Sequence, residues 1–234
     1  MEFKQYVNEY FSDDAIKQIG NGKMRDVYNR QNSCLILNNV PVDLLFIGDS
    51  ITEGFELQVY FKKFGTVINR GIGGEGVVDL IKRFKHDVVN LKPKVCFMCE
   101  GVNNIGYTFG QKKQAGETIT SEFVDQFTLS LIPYYKQAID MCKENGIKLI
   151  IGSVLPLGVI DERTDAIILL NKRIKELCKE NNVEFVDTFS KLTESDGKTL
   201  IQCTNGDLLH LLGHGYNVYA ETLMPYLEKA FENN

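Results

Sequence analysis

The sequence predicts one α/β domain, a three-layer α/β/α sandwich built on a five-stranded parallel sheet. Three observations carry that expectation. Short apolar runs alternate with segments of helical period from residue 44 onward, and such alternation implies crossovers that leave the strands parallel with helices on both faces. The runs are almost uninterruptedly apolar, as in Leu44-Leu45-Phe46-Ile47, which is the pattern of strands covered on both sides. A chain of 234 residues can bury one substantial core, and no repeat, linker or low-complexity tract divides it.

Residues 1–40 are expected to form a helical preface packed on the sheet: Phe3, Tyr6, Tyr10 and Phe11 fall at helical spacing, Asp13 or Asp14 can cap a second short helix, and Gly20-Asn21-Gly22 breaks it. The first strand covers 44–47; Gly48 ends it, and Asp49 and Ser50 follow. Residues 55–64 read equally as helix or loop. Val67-Ile68-Asn69 is a second strand, followed by the glycine-rich 71–76 and a helix with Val77, Leu80, Ile81 and Phe84 on one face. The third strand covers 95–99. Residues 106–118, rich in Gly, Lys and Thr, read as a long loop where a lid or pocket wall could sit.

A long amphipathic helix then places Phe123, Phe127, Leu131, Tyr134, Ala138 and Met141 on one face. Thr120 or Ser121 can cap it, Pro133 kinks or breaks it, and Asn145-Gly146 supplies a left-handed stop. The fourth strand covers 148–153 and a loop 156–163; Thr164 opens a helix with Ile167, Leu170, Ile174 and Leu177 inward, and the fifth strand covers 183–186. Residues 187–206 are irregular and polar, 207–214 form a compact turn, and a helix over 216–231 closes the chain.

The composition, 44% hydrophobic and 24% charged, is that of a soluble globular protein. A net charge of -5 argues against a nucleic-acid backbone or an anionic membrane as the main partner. The N-terminus lacks the basic-then-apolar pattern of a signal segment, and the most apolar run, 149–160, is short and interrupted by Gly152 and Pro156. A cytoplasmic home is the resulting expectation. The six cysteines, Cys34, Cys96, Cys99, Cys142, Cys178 and Cys203, lie in apolar segments and read as buried free thiols. Cys96 and Cys99 form a C-x-x-C, but three residues apart on a strand they point to opposite faces and are poorly placed to share a metal.

Several residues could carry chemistry. Ser50 sits just past a strand's C-terminal end, the edge where open α/β sheets bind ligands. It is either a nucleophile or the N-cap of the next helix. Asp207 and His210, three apart in a turn, can lie side by side, the carboxylate fixing one ring nitrogen and leaving the other to take a proton. A metal reading of Asp207, His210 and His214 is weakened by Gly213 and Gly215. His86, among Lys82, Arg83, Lys85 and Asp87, belongs on a solvated helix face. Gly71-x-Gly73-x-x-Gly76 fits a dinucleotide fingerprint, which makes an NAD(P)-dependent oxidoreductase the rival reading; its strand, however, ends in Asn69-Arg70. The same loop could instead offer N–H groups to an oxyanion, as could the side chain of Asn103. Tyr107, Phe109 and Leu157 are candidate pocket walls by position. A third reading is a non-catalytic binding protein on the same scaffold.

The order of these blocks resembles the SGNH (GDSL-type) hydrolase superfamily. Its first block is similar to Gly48-Asp49-Ser50-Ile51-Thr52, its second to Asn69-Arg70-Gly71-Ile72-Gly73-Gly74, its third to Gly101-Val102-Asn103-Asn104 and its last to Asp207-Leu208-Leu209-His210, followed by Gly215-Tyr216. The resemblance spans about 43–220. It implies a flavodoxin-like sheet and a serine esterase with Ser50 as nucleophile, His210 as base and Asp207 as its partner. The implied oxyanion hole is the N–H groups of Ser50 and Gly74 with the Asn103 side chain. It further implies no cofactor or metal, and a small-molecule ester as partner, such as a carbohydrate O-acetyl ester or a platelet-activating-factor-like acetyl ester. Ile51 replaces the family's Leu, and Leu212 stands where Asn is frequent after the histidine.

Overall fold

The computed structural model describes residues 23–194, 196 and 203–232. The expectations for Phe3, Tyr6, Tyr10, Phe11, Asp13, Asp14 and Gly20-Asn21-Gly22 lie outside the described residues. After helix α1 (Lys23–Leu37), the five strands are β1 (Leu44–Gly48), β2 (Val67–Gly71), β3 (Val95–Cys99), β4 (Lys148–Gly152) and β5 (Glu184–Val186). They form one sheet of order β2-β1-β3-β4-β5, every pairing parallel. This is the flavodoxin-like order, in which β3 occupies the centre and the strand order reverses between β1 and β3.

Alternate residues of the strands feed two cores. Leu45, Ile47, Cys96, Met98, Leu149 and Ile151 face a layer made by α4 (Val77–Asp87), α5 (Val102–Gln114), α6 (Ser121–Glu144) and α7 (Glu162–Asn181). Leu44, Phe46, Val95, Phe97 and Ile150 face the opposite layer, made by α2 (Ser50–Glu53), α3 (Leu57–Phe61), α8 (Phe189–Leu192) and α9 (Gly213–Glu232). The second core is aromatic: Phe46 stacks on Phe61 with centroids 5.0 Å apart, and Phe55 on Tyr216 at 4.6 Å. Among the described residues no helix is long and apolar enough to cross a membrane.

Several expectations are corrected. The loop expected over 106–118 is mostly helix, since α5 runs to Gln114. Gly106 and Gly110 hide its period, and each costs a helix about 1 kcal/mol. Burial of Val102, Ile105 and Phe109, at about 1.5–3 kcal/mol each, outweighs that cost. Phe109 is therefore a core residue packed against Phe123 and Phe127, and it is not among the residues lining the cavity at Ser50. On α6 the buried stripe is centred one residue further on than expected: Val124, Thr128, Tyr135, Ile139 and Cys142 are buried with Leu131 and Ala138, while Phe123, Phe127, Tyr134 and Met141 pack at its margin. Helix α6 is capped by Thr120, passes through Pro133, and stops where Gly146 takes φ 66°. Asp161, not Thr164, caps α7.

His86 is buried rather than solvated, its Nδ1 3.4 Å from the Asn32 amide of α1. Cys34 is exposed, whereas the other five cysteines are buried; all six are free thiols. A buried ionic cluster beside the edge strand explains why so polar a stretch folds inward. Asp87 accepts from Arg25 at 2.5 and 2.6 Å and from Arg83 at 3.0 Å, Arg83 also donates to Glu75 at 2.6 Å, and Arg70 donates twice to Asn32. Against the cost of burial, Arg25 and Arg83 hold the Asp87 carboxyl far below the usual carboxylate range.

Candidate active site

The site starts from β1. Its register sets Gly48 opposite Gly71 and Cys99, so three strands end together and the chain leaves the sheet at one edge. A side chain at Gly48 would lie 2.2 Å from the Cys99 carbonyl and 2.3 Å from the Thr52 hydroxyl. Only glycine fits between β1 and the helix that begins two residues on. Asp49 is the N-cap of α2, its Oδ1 accepting from the Ile51 N–H at 2.9 Å. The capping role open to Ser50 in the sequence thus falls to Asp49, and the Ser50 hydroxyl is left for another partner.

That partner comes from 160 residues later: Ser50 Oγ lies 2.8 Å from His210 Nε2. His210 Nδ1 in turn lies 2.6 Å from Asp207 Oδ2. The other oxygen of Asp207 accepts from the N–H groups of Leu209 at 3.0 Å and His210 at 2.8 Å. Against desolvation by its surroundings, the His210 ring and these two N–H groups together hold the Asp207 carboxyl down at about 2. An ionised Asp207 can only accept, so the tautomer of a neutral His210 that fits both contacts carries its proton on Nδ1 and turns the Nε2 lone pair toward the serine.

The segment bearing Asp207 and His210 is braced on three sides. Thr204 bridges Leu211, and the Asn205 N–H donates to the His210 carbonyl at 2.9 Å. Leu208 adopts φ 61°, uncommon for a branched residue, and its carbonyl accepts from the Gly158 N–H at 2.7 Å. The Tyr216 hydroxyl donates to the Ile51 carbonyl at 2.8 Å, tying α9 to the helix that starts at Ser50.

Opposite this pair stands the 71–76 loop. The Gly73 N–H donates to Glu53 Oε2 at 2.5 Å, while Gly74 takes φ 79°, a conformation that glycine adopts without strain. Asn69 braces the loop from below: its Oδ1 accepts from the Gly71 N–H at 2.8 Å and its amide donates to the Thr52 carbonyl at 2.7 Å. Asn103 follows β3 on the first turn of α5, and one hydrogen of its amide goes to the Glu75 carbonyl at 2.8 Å. The amide has a second hydrogen to offer. The N–H of Val77, at the start of α4, donates to Asn104 Oδ1 at 2.8 Å, so a side chain of the chain itself occupies the spot a dinucleotide phosphate would take. Arg70 points away from this edge into the buried cluster.

Ser50, Gly74, Asn103 and His210 share a cavity of about 330 Å³, walled further by Val102, Gly106, Tyr107, Leu157 and Leu209. Tyr107 and Leu157 are thus at the pocket as expected. Beneath it, burial pushes the Asp49 carboxyl up to about 6, and burial together with the Asp49 charge pushes Glu100 well above the carboxylate range. Glu53, Glu75 and Asn104 were missed as supports of the site. Glu53 and Glu75 carried no signal, since their roles depend on which backbone group folding brings to them; Asn104 stood beside Asn103 and was legible only as part of that block.

A hydroxyl bonded to an imidazole that is bonded to a carboxylate, next to unspent amide donors at the C-terminal edge of a parallel sheet, is the equipment of a hydrolase acting on ester bonds. Residues 46–218 match the GDSL-like lipase/acylhydrolase family, and the chain belongs to it. Among solved structures it is similar to a GDSL-like lipase from Bacteroides thetaiotaomicron VPI-5482, with 27% identity and a TM-score of 0.70 over 88% of this chain and 97% of that one. It is also similar in fold to an acetylxylan esterase from Geobacillus stearothermophilus, with 22% identity and a TM-score of 0.62 over 79% of this chain and 93% of that one. No curated protein sequence matches it.

Proposed function

We propose that the protein is a serine esterase that removes small acyl groups through an acyl-enzyme, with Ser50 as nucleophile, His210 as general base and Asp207 as the group that orients it. The observation that carries the reading is the unbroken relay from Ser50 Oγ to His210 Nε2 at 2.8 Å and from His210 Nδ1 to Asp207 Oδ2 at 2.6 Å. His210 takes the Ser50 proton as Oγ bonds to the ester carbonyl carbon. The carbonyl π electrons move onto oxygen, and the N–H groups of Ser50 and Gly74 with the second amide hydrogen of Asn103 receive that charge. As the tetrahedral centre collapses, the C–O bond to the alcohol breaks and the proton on Nε2 passes to the departing oxygen. Water then attacks the acyl-serine with His210 again as base, releasing the acid and restoring the hydroxyl.

The about 330 Å³ of the cavity favours a short acyl group over a lipid chain. The acetylxylan esterase that shares the fold acts on an acetylated carbohydrate, which is consistent with an acetyl or similarly short ester here. Turnover of p-nitrophenyl acetate together with fluorophosphonate labelling tests the reading. Wild-type protein is expected to hydrolyse the ester and take the label, and Ser50→Ala to do neither. Label and turnover that persist in Ser50→Ala would remove Ser50 from the chemistry. Tight NAD(P) binding without esterase activity would favour the oxidoreductase instead.

A further inference from the structure

Helix α5 contains two glycines, and only one of them faces the cavity. Gly106 lines it together with Val102, Asn103 and Tyr107, whereas Gly110, one turn further on, does not. A helix interior disfavours glycine, because its backbone has more freedom to lose. At neither position does φ fall in the left-handed region, and among the described residues a methyl group at either would meet nothing within 4 Å. Backbone geometry and packing therefore both permit alanine at 106. What glycine adds there is open space in front of the helix, inside the pocket.

The geometry of attack assigns that space to one part of the substrate. The departing oxygen must end near His210 Nε2, on the side walled by Leu209 and Leu157, whose loops are joined by the Gly158 N–H and the Leu208 carbonyl at 2.7 Å. The oxyanion turns toward Gly74 and Asn103. The remaining substituent of the tetrahedral carbon, the acyl chain, is left with the surface of α5 beyond Asn103, and Gly106 is the next residue of that helix face. Val102 supplies an apolar floor and is 2% exposed.

We propose that Gly106 determines acyl size at this site: its missing side chain leaves a slot for the acyl carbons and admits chains longer than acetyl, such as butanoyl. The proposal rests on the esterase reading above. Gly106→Ala and Gly106→Val fill the slot in two steps, with Gly110→Ala as the control that removes a helix glycine away from the pocket. Two series separate the two sides of the ester. One varies the acyl group as p-nitrophenyl acetate, butanoate and hexanoate, and the other varies the alcohol as ethyl, butyl and phenyl acetate.

The ratio of kcat/KM for butanoate over acetate is expected to fall with Gly106→Ala and further with Gly106→Val. The fall should reach about 10- to 200-fold, the effect of roughly one methylene in an apolar pocket. Gly110→Ala should leave that ratio unchanged, and thermal melts should show both alanine variants folded with Tm unchanged or raised. An unchanged ratio in active Gly106→Val overturns the assignment. So does a change confined to the alcohol series, which would place the alcohol in the slot, or a wild-type protein that turns over acetate but not butanoate. Absence of turnover by wild type in both series would overturn the esterase reading and this inference together.

Discussion

Asp207→Asn separates two roles that one carboxylate plays. Oδ1 accepts from the Leu209 and His210 N–H groups, closing the turn, and Oδ2 faces His210 Nδ1 at 2.6 Å. Asparagine keeps an oxygen for the turn and so retains most of its stability. Its amide nitrogen then faces Nδ1, and two donors cannot share a hydrogen bond. The imidazole answers by moving its proton to Nε2, where it confronts the Ser50 hydroxyl and can no longer accept from it. The expected loss is on the order of 10⁴ in kcat, the effect of the wrong tautomer in such a relay. Asp207→Ala should lose activity to a similar degree and also the turn's hydrogen bonds to Oδ1, a loss of about 1 kcal/mol, or roughly 2–4 °C in Tm for a chain of this size. Single-turnover hydrolysis of p-nitrophenyl acetate and thermal melts on the same preparations supply both readings. An Asp207→Asn protein within about tenfold of wild type in kcat would refute the reasoning, because His210 would then hold its tautomer without the carboxylate.

Asn103→Ala should lower kcat by about 10²–10³ with little change in KM if, as proposed, its amide receives the developing charge; a purely raised KM would argue for ground-state binding. His210→Ala should remove nearly all activity and His214→Ala little, because His214 is exposed on the first turn of α9; equal losses, measured in parallel, would mean the base is shared or misassigned. Asp87→Asn leaves Arg25 and Arg83 facing a neutral group in a buried cluster and should cost about 3–5 kcal/mol, or roughly 6–20 °C in Tm at neutral pH. The sign of its pH dependence follows from the depressed Asp87 pKa. The stabilisation is complete above the unfolded-chain carboxylate value of about 3.9 and is lost as pH falls through the lower folded value. The wild-type advantage over Asp87→Asn should therefore hold above about pH 5 and shrink in strong acid; an advantage that disappears between pH 7 and 5 would point to another group.

The inner strands β1, β3 and β4 were legible because a strand buried on both faces has only one way to be written, as a short apolar run, and the partly buried edge strands β2 and β5 still showed short apolar starts or ends; all five lie within a residue or two of where they were expected. Helix α5 was not legible: its glycines erase the local period, and only the core packing of Val102, Ile105 and Phe109 shows why it forms. His86 misled for the same kind of reason. Its neighbours in sequence are charged, yet Arg83 and Asp87 are themselves buried, with Asp87 accepting from both Arg83 and Arg25, so that helix face turns inward. At the site, Ser50, Asn103, Asp207 and His210 could be picked out one by one as residues of the right type at strand ends or in a tight turn. Between a cap and a nucleophile at Ser50 the local sequence could not choose, because Asp49 and Ser50 are both good caps.

What the sequence determined by itself was the class of fold and the inventory of reactive groups, since apolar period and strand-end position are local properties that survive in any context. The tertiary structure decided what those groups do to one another. A hydroxyl comes within 2.8 Å of an imidazole 160 residues away where Leu208 holds φ 61° in the turn before His210 and Tyr216 ties α9 to the Ile51 carbonyl beside Ser50. Such contacts exist only when the packed sheet sets the distances between elements, because hydrogen bonds form over a few tenths of an ångström and no spacing along the chain encodes them.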